Sequence, residues 1–138
     1  MISHSHCCIA VLITGGNVDL LSVLLGETAE LYHPSSGNIC TLPKLPHRRT
    51  DHTQNSDGLL CGGYEGDHIA DGCIQWNTGT WVTTTILDVK RDRHLAWNRG
   101  NKGTYLMGNW VEENSLTTTL IKPDGTQEEG FRLKYDVR

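Results

Sequence analysis

The chain has 138 residues, enough for one modest hydrophobic core and too few for two. Hydrophobic residues make up 37 %, with 15 glycines counted apart, a composition that fits a turn-rich globular domain. Twelve basic and 16 acidic residues are mixed along it for a net charge of −4, so it carries no electrostatic footprint for nucleic acid. No apolar run nears the roughly 20 residues that a membrane helix needs, and membrane insertion is not expected.

The first eight residues contain neither a positive cluster nor an apolar core, so they do not read as a signal peptide. They include His4, His6, Cys7 and Cys8, whose spacing does not match a Cys-x-x-Cys zinc site; no metal is expected there. The first strand-like run covers 9–14 and ends in Gly15-Gly16. A variable stretch, 17–27, follows, in which only 19–25 could form a helical turn. Next come a strand-like run at 29–32, a turn at Pro34-Ser35-Ser36-Gly37 and a last strand at 38–42.

The same order then returns twice. Residues 58–61 lead into Gly62-Gly63, followed by strands at 73–76 and 80–86 around the turn Asn77-Thr78-Gly79. Residues 103–107 lead into Gly108-Asn109, followed by strands at 118–121 and 131–135 on either side of Pro123-Asp124-Gly125. The second positions of the three pairs, 16, 63 and 109, are 47 and 46 residues apart. Asn replaces Gly in the third pair. Asn is the side chain that best tolerates positive φ, so a backbone reason for the motif is expected to survive there. A His precedes each pair, at His6, His52 and His94; Arg49 and Arg91 precede the latter two by three positions, and Arg138 falls at the matching phase of a fourth copy.

The unit is thus four short strands in about 46 residues, and its continuously apolar runs suit strands buried on both faces. Four-stranded units of this spacing with a double glycine resemble the kelch repeat. Tyr32 and Trp76 match the family's third-strand aromatic and Trp81 its fourth-strand Trp, whereas Ile121, and Ile39 or Cys40 in the first copy, depart from it. The wording Leu-Pro-x-Leu-Pro at 42–46, with Arg49 and His52 after it, looks like the cysteine-containing kelch proteins of animals. The resemblance implies an all-β fold, a kelch-type β-propeller segment of about three four-stranded blades, with repeats at approximately 4–48, 49–90 and 91–138. A β-sandwich, which also has short strands at regular spacing, is the alternative fold. Propellers close with about four to eight blades, so three form an open arc with a bare strand edge at each end. Further blades or self-association are expected to cover those edges.

Five cysteines are present. Cys61 ends a second strand and Cys73 begins the third, antiparallel to it, so a disulfide between them is sterically allowed. Cys40 could reach Cys7 or Cys8. The alternative, five small buried thiols, stays open. A Cys61–Cys73 bond implies an extracellular or luminal setting; free thiols imply the cytoplasm.

Arg49, His52, Arg91 and His94 repeat in phase with the fold, as do Gly15, Gly16, Gly62, Gly63, Gly108 and Asn109, which gives them an anchoring role rather than a catalytic one. Asp51, Asp57, Asp67, Asp71 and Asp88 show no spacing that suggests an acid/base pair. Gly-x-Ser-x-Gly is absent, and Gly62-Gly63-Tyr64-Glu65-Gly66 lacks the Lys-Thr or Lys-Ser of a phosphate loop. A non-catalytic protein-interaction module without cofactor is therefore expected. Its binding residues fall in the loops after the glycine pairs: Leu20, Leu21, Tyr64, Glu65, Asp67, His68, Trp110, Glu112 and Glu113. Aromatic groups ringed by acids suit a basic peptide or protein partner. The alternatives are a piece of a kelch-propeller enzyme, a copper oxidase or a sugar-acting one, whose Tyr and His ligand sets are not recognisable here, and a β-sandwich binding domain.

Overall fold

The computed structural model of the chain describes residues 10–15, 25–55, 57–109 and 115–135. All of their regular structure is antiparallel β, apart from two single 3₁₀ turns at Leu25–Glu27 and Gly100–Lys102. The first sheet holds β1 (Val11–Thr14), β2 (Ala29–His33) and β3 (Asn38–Thr41) in that order. In the middle sheet, β4 (Thr53–Gln54) pairs with β5 (Leu59–Cys61). A small separate hairpin, β6 (Tyr64–Glu65) and β7 (His68–Ile69), stands between β5 and the next strand of that sheet. The sheet is completed by β8 (Gly72–Asn77) and β9 (Thr80–Ile86). The third sheet holds β10 (Leu95–Asn98), β11 (Thr104–Met107), β12 (Thr118–Ile121) and β13 (Gln127–Glu129), again in chain order. Each is a simple up-and-down meander, and among the described residues none of the sheets is closed.

The turns follow from their residues. Between β8 and β9, Thr78 and Gly79 both take positive φ, 39° and 95°, the two-residue turn whose twist matches the flanking strands. The β2–β3 turn closes on Gly37 at φ 71°, whose N–H donates to His33 O at 2.8 Å. Between β12 and β13, Gly125 at φ 85° donates to Lys122 O at 2.9 Å.

This last turn corrects one expectation. The final strand is Gln127–Glu129, not 131–135. The tight turn sets Ile121 opposite Gln127, so pairing begins at once with Gln and Glu residues on an exposed edge. The apolar alternation of Phe131, Leu133 and Tyr135 lies beyond the strand. The stretch after Gly62-Gly63, expected to be a loop, contains the β6–β7 hairpin.

Two apolar clusters hold the sheets face to face. Leu60 and Ile74 on one face of the middle sheet pack with Leu45, Leu12 and Trp81. On its other face Leu59, Cys61 and Cys73 pack with Leu87 and with Ala96, Leu106 and Ile121 of the third sheet. The middle sheet is therefore covered on both sides, which is why β5 is apolar at every position and wholly buried. Fully burying a Leu side chain stabilises by about 1.5–3 kcal/mol.

Cys61 and Cys73 are directly opposite across β5 and β8, with Cα atoms 4.1 Å apart, and they form a disulfide. The partners are 12 residues apart in sequence, and closing a loop of that size constrains the unfolded chain by about 3 kcal/mol. A Cys61→Ser/Cys73→Ser variant is expected to unfold at a lower urea concentration by a corresponding amount; an unchanged midpoint would show that the bond does not form. Cys40 is exposed and joins no disulfide among the described residues; Cys7 and Cys8 lie outside them. No described helix is long and apolar enough to cross a membrane.

Candidate functional site

The meanders place two kinds of connection at opposite ends of the stack. At one end lie the tight turns within each sheet; a polar cleft of about 290 Å³ between the middle and third sheets includes Asp57, Asn98 and Lys122. At the other end lie the glycine-ended strands, the Arg-x-x-His segments and the β6–β7 hairpin.

Arg49 and Arg91 occupy equivalent places there. Gly62 N–H donates to Gly72 O at 3.2 Å, and Gly108 N–H donates to Thr117 O at 3.1 Å. Each arginine caps the carbonyls of one such pair. Arg49 Nη1 donates to Gly62 O at 3.3 Å and Gly72 O at 2.9 Å. Arg91 Nη1 donates to Gly108 O at 2.7 Å and Thr117 O at 3.1 Å. Its Nη2 donates to the hydroxyls of Thr117 and Thr119. The arginines thus bond chiefly within their own sheet. Burial lowers the pKa of both, Arg91 to about 10, while Glu65 opposes the effect at Arg49.

The histidines work between sheets. Thr14 of the first sheet donates its hydroxyl proton to Gln54 Oε1 at 2.7 Å, so its oxygen accepts from His52 Nε2, 3.1 Å away. Thr53 Oγ1 and His94 Nε2 are 2.8 Å apart. The ring edges of His52 and His94 sit against Gly15 and Gly62, where a Cβ would come within 2.9 and 2.7 Å of Cε1. The carbonyl oxygens of Arg49 and Arg91 press on the same two glycines. Gly15 at φ 59°, Gly62 at φ 62° and Gly63 at φ 83° all use backbone that disfavours side chains. Gly63 N–H also donates to Arg91 O at 2.7 Å.

Asn109 departs from the expectation made for it: it is not among the described residues with positive φ. Its buried amide instead accepts from Asp92 N–H at 3.2 Å and donates to Lys90 O at 3.1 Å, so the side chain supplies bonds where Gly63 supplies space.

Both histidines are held neutral. Burial, with Arg49 adding to it and Asp51 opposing, lowers the His52 pKa to about 4. Burial, with Arg91 and His52 adding to it, lowers that of His94 to about 3. In the unfolded chain both take up protons below about 6.5. Between there and pH 3–4 the unfolded state binds more protons, so stability falls as the solution is acidified through that window. At pH 5 the loss is about 2 kcal/mol per histidine. The buried Asp92 carboxyl, raised chiefly by desolvation, contributes in the opposite sense. A urea midpoint clearly lower at pH 5 than at pH 7 is expected, and the difference should shrink in His94→Gln. Equal midpoints would rule out neutral, buried histidines.

The hairpin projects beside this framework. Thr50 and Tyr64 exchange backbone bonds of 2.8 and 3.0 Å, which fasten its base. Glu65, expected to face a partner, turns back and pairs with Arg49. His68 lies 3.7 Å from Glu65 and 3.3 Å from Asp67. Asp67 is fully exposed at the tip, and the bond to His68 holds its carboxyl below the usual range. Tyr64 is half-buried. Leu20, Leu21, Trp110, Glu112 and Glu113, with Gly16, His4, His6 and Arg138, lie outside the described residues.

Tyr32, Trp76 and Trp81 make none of these bonds. Trp76 and Trp81 face each other across β8 and β9 with ring centroids 5.2 Å apart, and Trp81 Nε1 donates to Pro43 O at 2.9 Å. Tyr32 pairs with Ile39.

Sequence reasoning missed one pair at the site. Asp51 and Arg93 each lie two residues after their arginine and share positive φ, 53° and 48°. Arg93 N–H donates to Asp51 O at 3.0 Å and its Nε to Asp51 Oδ2 at 3.2 Å. Aligning the two Arg-x-x-His segments puts these residues in register, which was the available signal. Among the described residues no group of three or more His, Cys, Asp or Glu side chains is placed to hold a metal ion.

These features define an all-β protein of stacked antiparallel meanders. No protein-family model matches the chain, and no curated protein matches it.

Proposed function

We propose that the chain is a segment of a kelch-type β-propeller, each meander a blade, and that it acts as a non-catalytic module binding a basic segment of another protein. Two features support the blade reading. The middle sheet is covered on both faces, whereas a two-layer sandwich gathers one core between two sheets. The same glycine, arginine and histidine set also recurs at both junctions. The Cys61–Cys73 bond favours an extracellular or luminal setting.

The observation that carries the binding role is the hairpin tip. Asp67 presents an ionised, fully exposed carboxylate at the tip of the two-stranded hairpin, beside the ring of His68 rather than a Lys or Arg. Asp71 and Asp51 lie at the same end, though each is engaged by a cation of the chain, Lys90 and Arg93. An incoming guanidinium or ammonium group meets Asp67 first.

Calorimetric titration with an arginine-rich peptide tests this. One-to-one binding is expected, weakening steeply with salt and several-fold weaker in Asp67→Asn. No binding by the wild-type chain, or unchanged affinity in the variant, overturns the proposal.

A further inference from the structure

The two junctions between sheets share one arrangement, and each end of the stack displays half of it. Leu60, Leu106 and Ile13 all lie two residues before a glycine that ends a strand. Leu60 and Leu106 are wholly buried because the preceding sheet covers them; Ile13 is 48 % exposed. Beside Ile13 on the same face, Val11 and Ile39 are also exposed.

The third sheet shows the complementary half. Leu45 and Leu87 donate their N–H groups to Glu27 O and Asp71 O, and both bury their side chains between sheets. Leu133 makes the matching bond, to Leu116 O at 2.8 Å, yet remains partly exposed. Around it lies an aromatic surface: Trp97 stacks on Tyr105 with centroids 5.9 Å apart, and Tyr105 meets Phe131 at 5.3 Å. Trp97, Phe131 and Leu95 are 48 %, 44 % and 54 % exposed. Arg99 lies over Trp97, and the face of the first sheet carries Glu30 beside Ile13.

We propose that two copies of this chain associate head to tail, the Trp97–Tyr105–Phe131 face of each seating on the Val11–Ile13–Ile39 face of the other. The occupant is a second copy because the contact repeats one that the chain already makes twice within itself, apolar sheet face on apolar sheet face. Two copies bring six sheets together, within the about four to eight at which radial arrangements close. The inference is independent of what the hairpin binds.

Light scattering on the purified chain at about 100 µM tests it, with a mass twice the 15.3 kDa of one copy expected. Ile13→Asp and Trp97→Asp should each be monomeric, with circular dichroism unchanged because both side chains are on the surface. Mixed in equal amounts, they should form a one-to-one pair through the two unaltered faces. Ile39→Asp and Leu95→Asp repeat the test if either first variant fails to fold. A wild-type monomer, an open polymer, or variants that do not pair on mixing would overturn the proposal. So would an Ile13→Asp protein that dimerises by itself, since its contact would join like faces.

Discussion

Arg91→Ala is expected to lower stability by more than about 3 kcal/mol. The side chain is wholly buried and holds the carbonyl oxygens of Gly108 and Thr117 together with the hydroxyls of Thr117 and Thr119. Thr117 O keeps the Gly108 N–H, 3.1 Å away, whereas Gly108 O and the two hydroxyls lose the guanidinium. Each buried acceptor left without its donor costs about 1–3 kcal/mol, and the vacated volume adds a cavity cost. One effect works the other way, because burying a charge is itself unfavourable and the alanine variant is relieved of it. Arg91→Met separates the two contributions. It fills the space and removes the charge while leaving Gly108 O without the guanidinium, so it should fall between wild type and alanine. Arg91→Lys keeps the charge but cannot span two carbonyls and two hydroxyls at once, and should recover only part of the loss. Urea unfolding followed by circular dichroism reads all three. A loss below about 1 kcal/mol for Arg91→Ala would show that water replaces the guanidinium and that the arginine is not a structural brace.

Gly62→Ala is the second large effect. At φ 62° an alanine costs about 1–2 kcal/mol in backbone conformation alone. Its methyl group would also overlap the Arg91 carbonyl oxygen and lie 2.7 Å from His94 Cε1, both fixed by the neighbouring sheet. Relief requires the third sheet to move away, which loosens the Gly63–Arg91 bond and the cluster around Leu59 and Leu106. A total above about 3 kcal/mol is expected. Gly79→Ala is the control: its φ is also positive, 95°, but nothing lies within 4 Å of an added Cβ. That variant should lose only the conformational part, about 1–2 kcal/mol. Similar losses for the two glycines would mean that the sheets are not in close contact at Gly62.

Much of this framework was legible in the residues because it rests on backbone chemistry. The glycine pairs marked where strands end in a conformation that disfavours side chains, and Asn77-Thr78-Gly79 and Pro123-Asp124-Gly125 marked the turns. The places of Cys61 and Cys73 on strands expected to be antiparallel neighbours allowed the disulfide, and the register sets them opposite each other. The failures have physical causes too. Strand β13 is Gln-Glu-Glu on an open edge, where no apolar face is demanded, so hydrophobic pattern pointed instead to Phe131 and Leu133. Strands β4, β6 and β7 are two residues long, too short for any period to show. At the candidate site, the exposure of Asp67 was consistent with its reading as a surface residue. The inward turn of Glu65 was not legible, because it depends on Arg49, 16 residues earlier, arriving beneath the hairpin. Asn109 misled because its amide bonds, rather than its tolerance of positive φ, suit it to the place.

The Asp51–Arg93 pair bears on how such a chain avoids misassembly. Sheets built alike offer nearly interchangeable docking surfaces, and during folding one could lodge against the wrong neighbour. Opposite charges at matching positions in consecutive units favour adjacent docking and give a skipped or swapped arrangement no such attraction. An exposed ion pair of this kind contributes at most about 1 kcal/mol to the final fold. Its larger effect is on the choice among competitors, where a tilt of that size already shifts the populations several-fold.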